Sequence, residues 1–82
     1  MGIRYPLLSE KSVNLIEKEN KLIFVVDKNT TKKQIKEEIE SLYDTKVAEV
    51  KTLINMKGEK RAFVKFQEAN AASKLATKLN II

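Results

Sequence analysis

Apolar and polar positions follow two distinct periods along this chain of 82 residues. Residues 21 to 27 carry the strongest strand signal. Leu22, Phe24 and Val26 would point one way, Ile23 and Val25 the other. Apolar side chains on both faces predict a central strand with cover on each side. Residues 3 to 8 read as a short strand, and Pro6, which lacks an N–H, confines it to an edge or an irregular lead-in. Two further strands are predicted at about 47 to 54 and 60 to 66. If Ile54 pairs with Lys60 across the turn at 55 to 59, then Ala48, Val50, Thr52 and Ile54 share an apolar face with Ala62, Val64 and Phe66. The other face then carries Val47, Glu49, Lys51 and Leu53 beside Arg61, Phe63 and Lys65, with Glu49 opposite Lys65 and Lys51 opposite Phe63.

The intervening segments have helical period. Ser9 is a suitable N-cap for a helix from about Glu10 to Glu19, with Glu10 at the favourable end of the dipole. Val13 and Ile16 would be buried, Leu15 partly covered, and Asn20 would end the helix in a left-handed conformation. Thr31 followed by Gln34 matches a capping box for a second helix, about Lys32 to Tyr43. Its inward stripe would be Ile35, Ile39, Leu42 and Tyr43. A third helix, from Ala69 or Ala71 to Leu79, has Ala72, Leu75, Ala76 and Leu79 as its stripe, with Lys74 and Lys78 outward. Tyr5 is expected at a rim of the core. The fold class is therefore α+β: a β-α-β-α-β-β-α sandwich whose mostly antiparallel four-stranded sheet is covered by helices. Residues 1–82 read as a single domain with a small core.

Composition narrows the chemistry. Cysteine and histidine are absent, which removes disulfides, thiolate nucleophiles, imidazole bases and nearly all zinc sites. Ser12, Ser41 and Ser73 have no base to activate them, and no Gly-rich phosphate loop is present. No enzyme activity and no cofactor are expected. Apolar runs are too short to span a membrane, so no membrane insertion is expected, and residues 1 to 6 lack the apolar core of a signal peptide. A cytoplasmic location follows.

A formal net charge of +5 favours an anionic partner. Six basic and two acidic residues fall between Lys46 and Lys65, so that segment contributes +4. On the predicted hairpin Arg61, Phe63 and Lys65 alternate basic, aromatic, basic along one face. Such a row suits a nucleic-acid backbone, with Phe63 on a base or sugar. Alternatively Phe63 fills a second thin core while the charges extend outward, and edge lysines simply guard a hairpin against aggregation. The second helix carries its charges against the dipole: Lys32, Lys33 and Lys36 come early, Glu37, Glu38 and Glu40 late. Each misplaced exposed charge costs roughly 0.3–1 kcal/mol at low salt. Lys33–Glu37 and Lys36–Glu40 would return part of this in the weaker orientation. A phosphate partner would supply a use for the arrangement; a solvated polar face is the plain alternative.

Several segments together resemble one family. Pro6-Leu7-Leu8-Ser9-Glu10-Lys11 is similar to the Pro-x-Val-Ser/Thr-Glu-Lys motif near the start of the ribosomal protein L twenty-three family of the large subunit. Thr31-Lys32-Lys33-Gln34-Ile35-Lys36 resembles that family's Thr/Ser-Lys start of the second helix. Val50-Lys51-Thr52-Leu53 resembles its Val-Asn-Thr strand, with Lys51 in place of Asn, and Lys60 to Phe66 its basic-basic-Ala strand, with Phe66 where Leu is usual.

The resemblance implies a structural component of the cytoplasmic ribosome, bound to large-subunit rRNA beside the nascent-chain exit tunnel among neighbouring ribosomal proteins. Lys32, Lys33, Lys36, Lys51, Thr52, Asn55, Lys57, Lys60, Arg61 and Lys65 would hold rRNA, mainly through phosphates. It also implies docking of the signal recognition particle, nascent-chain chaperones and the translocation channel, with Glu10 at the position of the family's acidic docking residue. Bacterial members extend the loop between the last two strands into the tunnel. Here it spans only Asn55 to Glu59, a short form similar to archaeal members, so deep contact with the tunnel wall is not implied. The competing expectation is a stand-alone protein-binding module of the same fold, using Leu53, Phe63 and the Ile81-Ile82 tail as an apolar patch.

Overall fold

The computed structural model describes residues 2–7 and 9–79. The elements follow in the expected order: β1 (Ile3–Pro6), α1 (Glu10–Glu19), β2 (Lys21–Val26), α2 (Lys32–Tyr43), β3 (Val47–Ile54), β4 (Lys60–Phe66) and α3 (Ala71–Lys78). Leu8, the last residue of the expected first strand, and the Ile81-Ile82 tail lie outside the described residues. The strands form one antiparallel sheet in the order β1-β2-β4-β3. Pro6 thus sits on an edge strand, and β2 pairs on both sides. Ile54 pairs with Lys60, Lys51 with Phe63 and Glu49 with Lys65, in the register that the alternation predicts.

Helix ends are set by local side chains. Ser9 and Ser12 cap α1 reciprocally, and Thr31 and Gln34 do so for α2. Asn20 closes α1 in the left-handed region at φ 56. Its side chain then reaches across the fold: Nδ2 donates to the carbonyls of Phe66 (3.1 Å) and Glu68 (2.7 Å), and Oδ1 accepts from the Ala72 N–H at 2.9 Å. The residue before α3, Asn70, makes no side-chain cap bond. Asn20 therefore satisfies an orphan donor of α3 in its stead.

The core lies on one face of the sheet. Leu22, Phe24, Val26, Ala62, Val64 and Phe66 meet Ile16 of α1, Ile35 and Ile39 of α2, and Ala72, Leu75 and Ala76 of α3 in one buried cluster. Among the described residues, every buried apolar side chain of a helix joins this cluster. Ile23 and Val25 are buried but stand apart from it. Their neighbours in register are Phe63 and Arg61, with Tyr5 beside Val25. The expected cover on both faces is thus supplied by helices on one face only; on the other, cross-strand neighbours shield the centre of β2.

Four further expectations are corrected. The β3 register shifts between Val47 and Glu49, so Val47 pairs with Phe66 and is fully buried while Ala48 is exposed. Such a bulge inserts one residue and flips what precedes it to the other face. In α1 the inward position beside Ile16 belongs to Ser12, and Val13 is only half-buried. Leu42 is 49% exposed, so the α2 stripe closes on Tyr43, whose ring stacks on Phe24 at 6.3 Å. Tyr5 is half-exposed on its edge strand.

Two tests follow from this packing. Asn20→Gly keeps the left-handed backbone but removes three side-chain bonds. It should destabilise the fold by about 1–3 kcal/mol, seen as a fall in Tm of roughly 4–8 °C per kcal/mol. An unchanged Tm would show that the link to α3 is dispensable. Burial pushes the Tyr43 phenol above its ordinary value of 10.0. A folded-state value raised above the unfolded one means stability present below it and lost as pH rises through the raised value. Tyr43→Phe should therefore lessen the alkaline fall in urea midpoint.

Candidate nucleic-acid interface

The two basic segments, far apart in sequence, meet at one end of the molecule. Antiparallel pairing sets Val26, the last residue of β2, beside Lys60, the first of β4. The loop into α2 must then leave next to the β3–β4 turn. Lys60 joins them: its Nζ donates to the carbonyls of Thr30 (2.7 Å) and Lys28 (3.4 Å). Gly58 at the turn has φ 80, and a Cβ there would lie 3.1 Å from the Lys28 ammonium. The loop runs on into the first turn of α2, which begins with Lys32 and Lys33, and α2 faces the Lys28 and Lys57 cleft with Gln34 and Glu38. Between loop, turn and the start of β1 lies an open cleft of about 760 Å³, lined by Arg4, Lys28, Lys57 and Lys60 and by the carboxylates of Asp27, Glu38 and Glu59.

The turn is built by Asn55. Its Oδ1 accepts from the N–H groups of Lys57 (3.0 Å) and Glu59 (2.9 Å), and its Nδ2 donates to Glu59 Oε1 at 3.4 Å. Gly58 supplies the positive φ that another residue would adopt only under strain. Met56, fully exposed at 105%, and the exposed Lys57 form the tip.

The reversed charge order of α2 has a structural cause on its acidic side. Glu38 accepts from the backbone N–H groups of Gly2 (2.8 Å) and Ile3 (3.3 Å), and Glu40 Oε2 accepts from Val47 N–H at 3.0 Å. These carboxylates pin β1 and the start of β3, so they must sit in the middle of the helix. Neither Lys33–Glu37 nor Lys36–Glu40 closes as an ion pair among the described residues. Lys32, Lys33 and Lys36 are exposed, with no side-chain hydrogen bond to other described residues.

The remaining candidates divide by sheet face. Lys51, Arg61 and Lys65 lie on the face away from the helices, with Phe63 at the centre of the row. Arg61 Nε meets Glu59 Oε1 at 3.0 Å, and Lys51 Nζ lies 3.8 Å from Glu49. Both pairs are partly exposed, and such pairs contribute about 0–1 kcal/mol, so a phosphate can displace the carboxylate. Lys65 is exposed. Thr52 pairs with Ala62, on the helix side, and is half-buried. Glu10 is exposed in the first turn of α1. That helix ends at Asn20, bonded to Phe66 at the far end of β4 from the turn. Sequence reasoning missed Lys28; the usable signal was the register itself, which forces the loop after β2 against the turn.

Comparison with known proteins gives a consistent family. Residues 2–80 match Ribosomal protein L23. A large ribosomal subunit protein uL23 of Pyrobaculum aerophilum is 46% identical over 80 residues, covering 98% of this chain and 99% of that relative. Another, from Methanococcus aeolicus, is 42% identical over 79 residues, covering 96% of this chain and 92% of the relative.

Lys60→Met keeps an apolar stem but removes the bonds to Thr30 and Lys28. Amide exchange should then quicken together in the turn at 56 to 59 and in the loop at 28 to 31. Acceleration in the turn alone would show that Lys60 does not join the two segments.

Proposed function

The chain belongs to the ribosomal protein L23 family, and on that premise we propose that it clamps large-subunit rRNA beside the polypeptide exit tunnel. Membership makes it a structural constituent of the large subunit, a ribonucleoprotein of translation in the cytoplasm. The observation supporting rRNA contact is the junction of the β2–α2 loop with the β3–β4 turn through Lys60, which brings Lys28 and Lys57 to one cleft beside the start of α2. Folded RNA presents closely spaced phosphates, and a cluster of ammonium groups on fixed elements meets several at once. Lys32, Lys33, Lys36 and Lys57 are the phosphate contacts at this end. Lys51, Arg61 and Lys65 extend the contact along the sheet. Asn55 and Lys60 act through the shape of the turn, and Thr52 through the edge of β3. The whole of 1–82 serves as one rRNA-binding domain, with no turnover.

Glu10 is exposed in the first turn of α1, an element separate from the hairpin and α2 that carry the basic candidates. That separation supports a division of surfaces: the hairpin and α2 for rRNA, α1 for factors at the tunnel mouth. The partners there are the signal recognition particle, nascent-chain chaperones and the translocation channel, beside neighbouring ribosomal proteins. The exposed Leu53, Ile54 and Met56 favour a second reading, a stand-alone protein-binding module; contact with neighbouring ribosomal proteins accounts for the same surface.

Affinity for an rRNA fragment should fall with salt at a log–log slope of about −4 or steeper, at roughly −0.7 to −0.9 per phosphate for five or more contacts. Replacing Lys32, Lys33 and Lys36 together by Gln should make the slope shallower by about 2–3. A wild-type slope near zero would sink the proposal. Glu10→Ala should weaken docking of exit-site factors to assembled subunits and leave assembly intact. Lost assembly, or unchanged docking, would count against that role.

A further inference from the structure

The face of the sheet away from the helices is organised in cross-strand rows. Lys21, Lys65 and Glu49 form one, and Ile23, Phe63 and Lys51 the next. Val25, Arg61 and Leu53 form a third, which Tyr5 extends through its pairing with Val25. Successive rows lie about 6.6–6.8 Å apart along the strands. Ile23 and Val25 make a buried apolar floor. Phe63 is half-buried at the centre, and Tyr5 and Leu53 are 50% and 49% exposed. Four cations (Lys21, Lys51, Arg61, Lys65) surround these apolar groups; Glu19, Glu49 and Glu59 lie against Lys21, Lys51 and Arg61, and Lys65 has no ion-pair partner among the described residues.

We propose that this face is a stacking platform for unpaired RNA nucleotides, with Phe63 carrying a base and Lys51, Arg61 and Lys65 holding the flanking phosphates. The proposal rests on the rRNA reading above and adds the state of the RNA. A duplex hides its base faces and offers phosphates alone, so a half-buried aromatic ring with a free edge among cations matches bases that are free to stack. The exposed Lys65, unpaired among the described residues, and the partly exposed pairs of Lys51 and Arg61 favour an anionic occupant over an apolar protein surface. Arg61 and Lys51 rest on partly exposed carboxylates of their own hairpin, Glu59 and Glu49, which orient both cations until phosphates replace them. Phe63 belongs to β4, paired on both sides, so the platform is held rigid before RNA arrives. The two surfaces divide the work: the α2 and turn lysines take phosphates of any RNA form, and the sheet takes the unstacked segment.

The test uses the whole protein, a labelled single-stranded RNA octamer and a duplex of the same length. Phe63→Leu keeps an apolar strand residue and removes the aromatic face; it should weaken the octamer roughly tenfold and the duplex less than about twofold. Phe63→Tyr should bind the octamer as the wild type does. Replacing Lys33 and Lys36 by Gln should weaken both RNAs. Octamer binding unchanged in Phe63→Leu, or octamer and duplex weakened alike, overturns the platform. If the lysine variants also leave both RNAs unaffected, the rRNA reading itself fails, which separates the two failures. A photoreactive phenylalanine analogue in place of Phe63, irradiated in assembled large subunits, should crosslink to rRNA. Crosslinking to a protein overturns the proposal whatever the variants show.

Discussion

The antiparallel pairing of β2 with β4 is the constraint on which the rest of the structure depends. It buries Leu22 against Val64 and Phe24 against Ala62 on one face. The same pairing puts Ile23 beside Phe63 on the other. At one end it brings the β2–α2 loop to the β3–β4 turn; at the other it brings Asn20 to the close of β4. Burial of the full side chains on the helix face is worth about 1.5–3 kcal/mol each before conformational entropy is counted. That one face carries the stability, so the other is available for charged and half-exposed groups.

The polar groups divide by function through geometry. Glu38, Glu40, Asn55, Lys60 and Asn20 all satisfy backbone donors or acceptors between elements. Leaving such groups unmet when buried would cost about 1–3 kcal/mol each. Lys32, Lys33, Lys36 and Lys57 do no such service. Their ammonium groups are therefore available to an anionic partner, and exposed lysines of this kind steer polyanions toward the surface.

Much of the fold was legible because its signals are local. Ser9, Thr31 with Gln34, and Asn20 mark helix ends within three or four residues, and the period-two runs of β3 and β4 allow one register. What escaped is long-range or a single-residue defect. The bulge at Ala48 adds no composition signal, yet it turns Val47 inward. Ser12 displaces Val13 from the core because the reciprocal cap with Ser9 fixes the helix phase. Asn20 shows a C-cap in sequence, but its hold on Glu68 and Ala72 spans 48 and 52 residues. At the candidate site, the basic residue types were visible at once. Which lysines are tied up and which are free emerged only from the geometry, as did Lys28 and the half-buried setting of Phe63.

The most direct measurement is the reactivity of each lysine toward an amine-modifying reagent, read by mass spectrometry for the free chain and for the chain in large subunits. The account predicts protection of Lys28, Lys32, Lys33, Lys36 and Lys57 on assembly, with Lys18, beside Asn20 at the far end from the turn, staying reactive. Equal reactivity of the turn-end lysines in both states, or protection confined to Lys18, would contradict it.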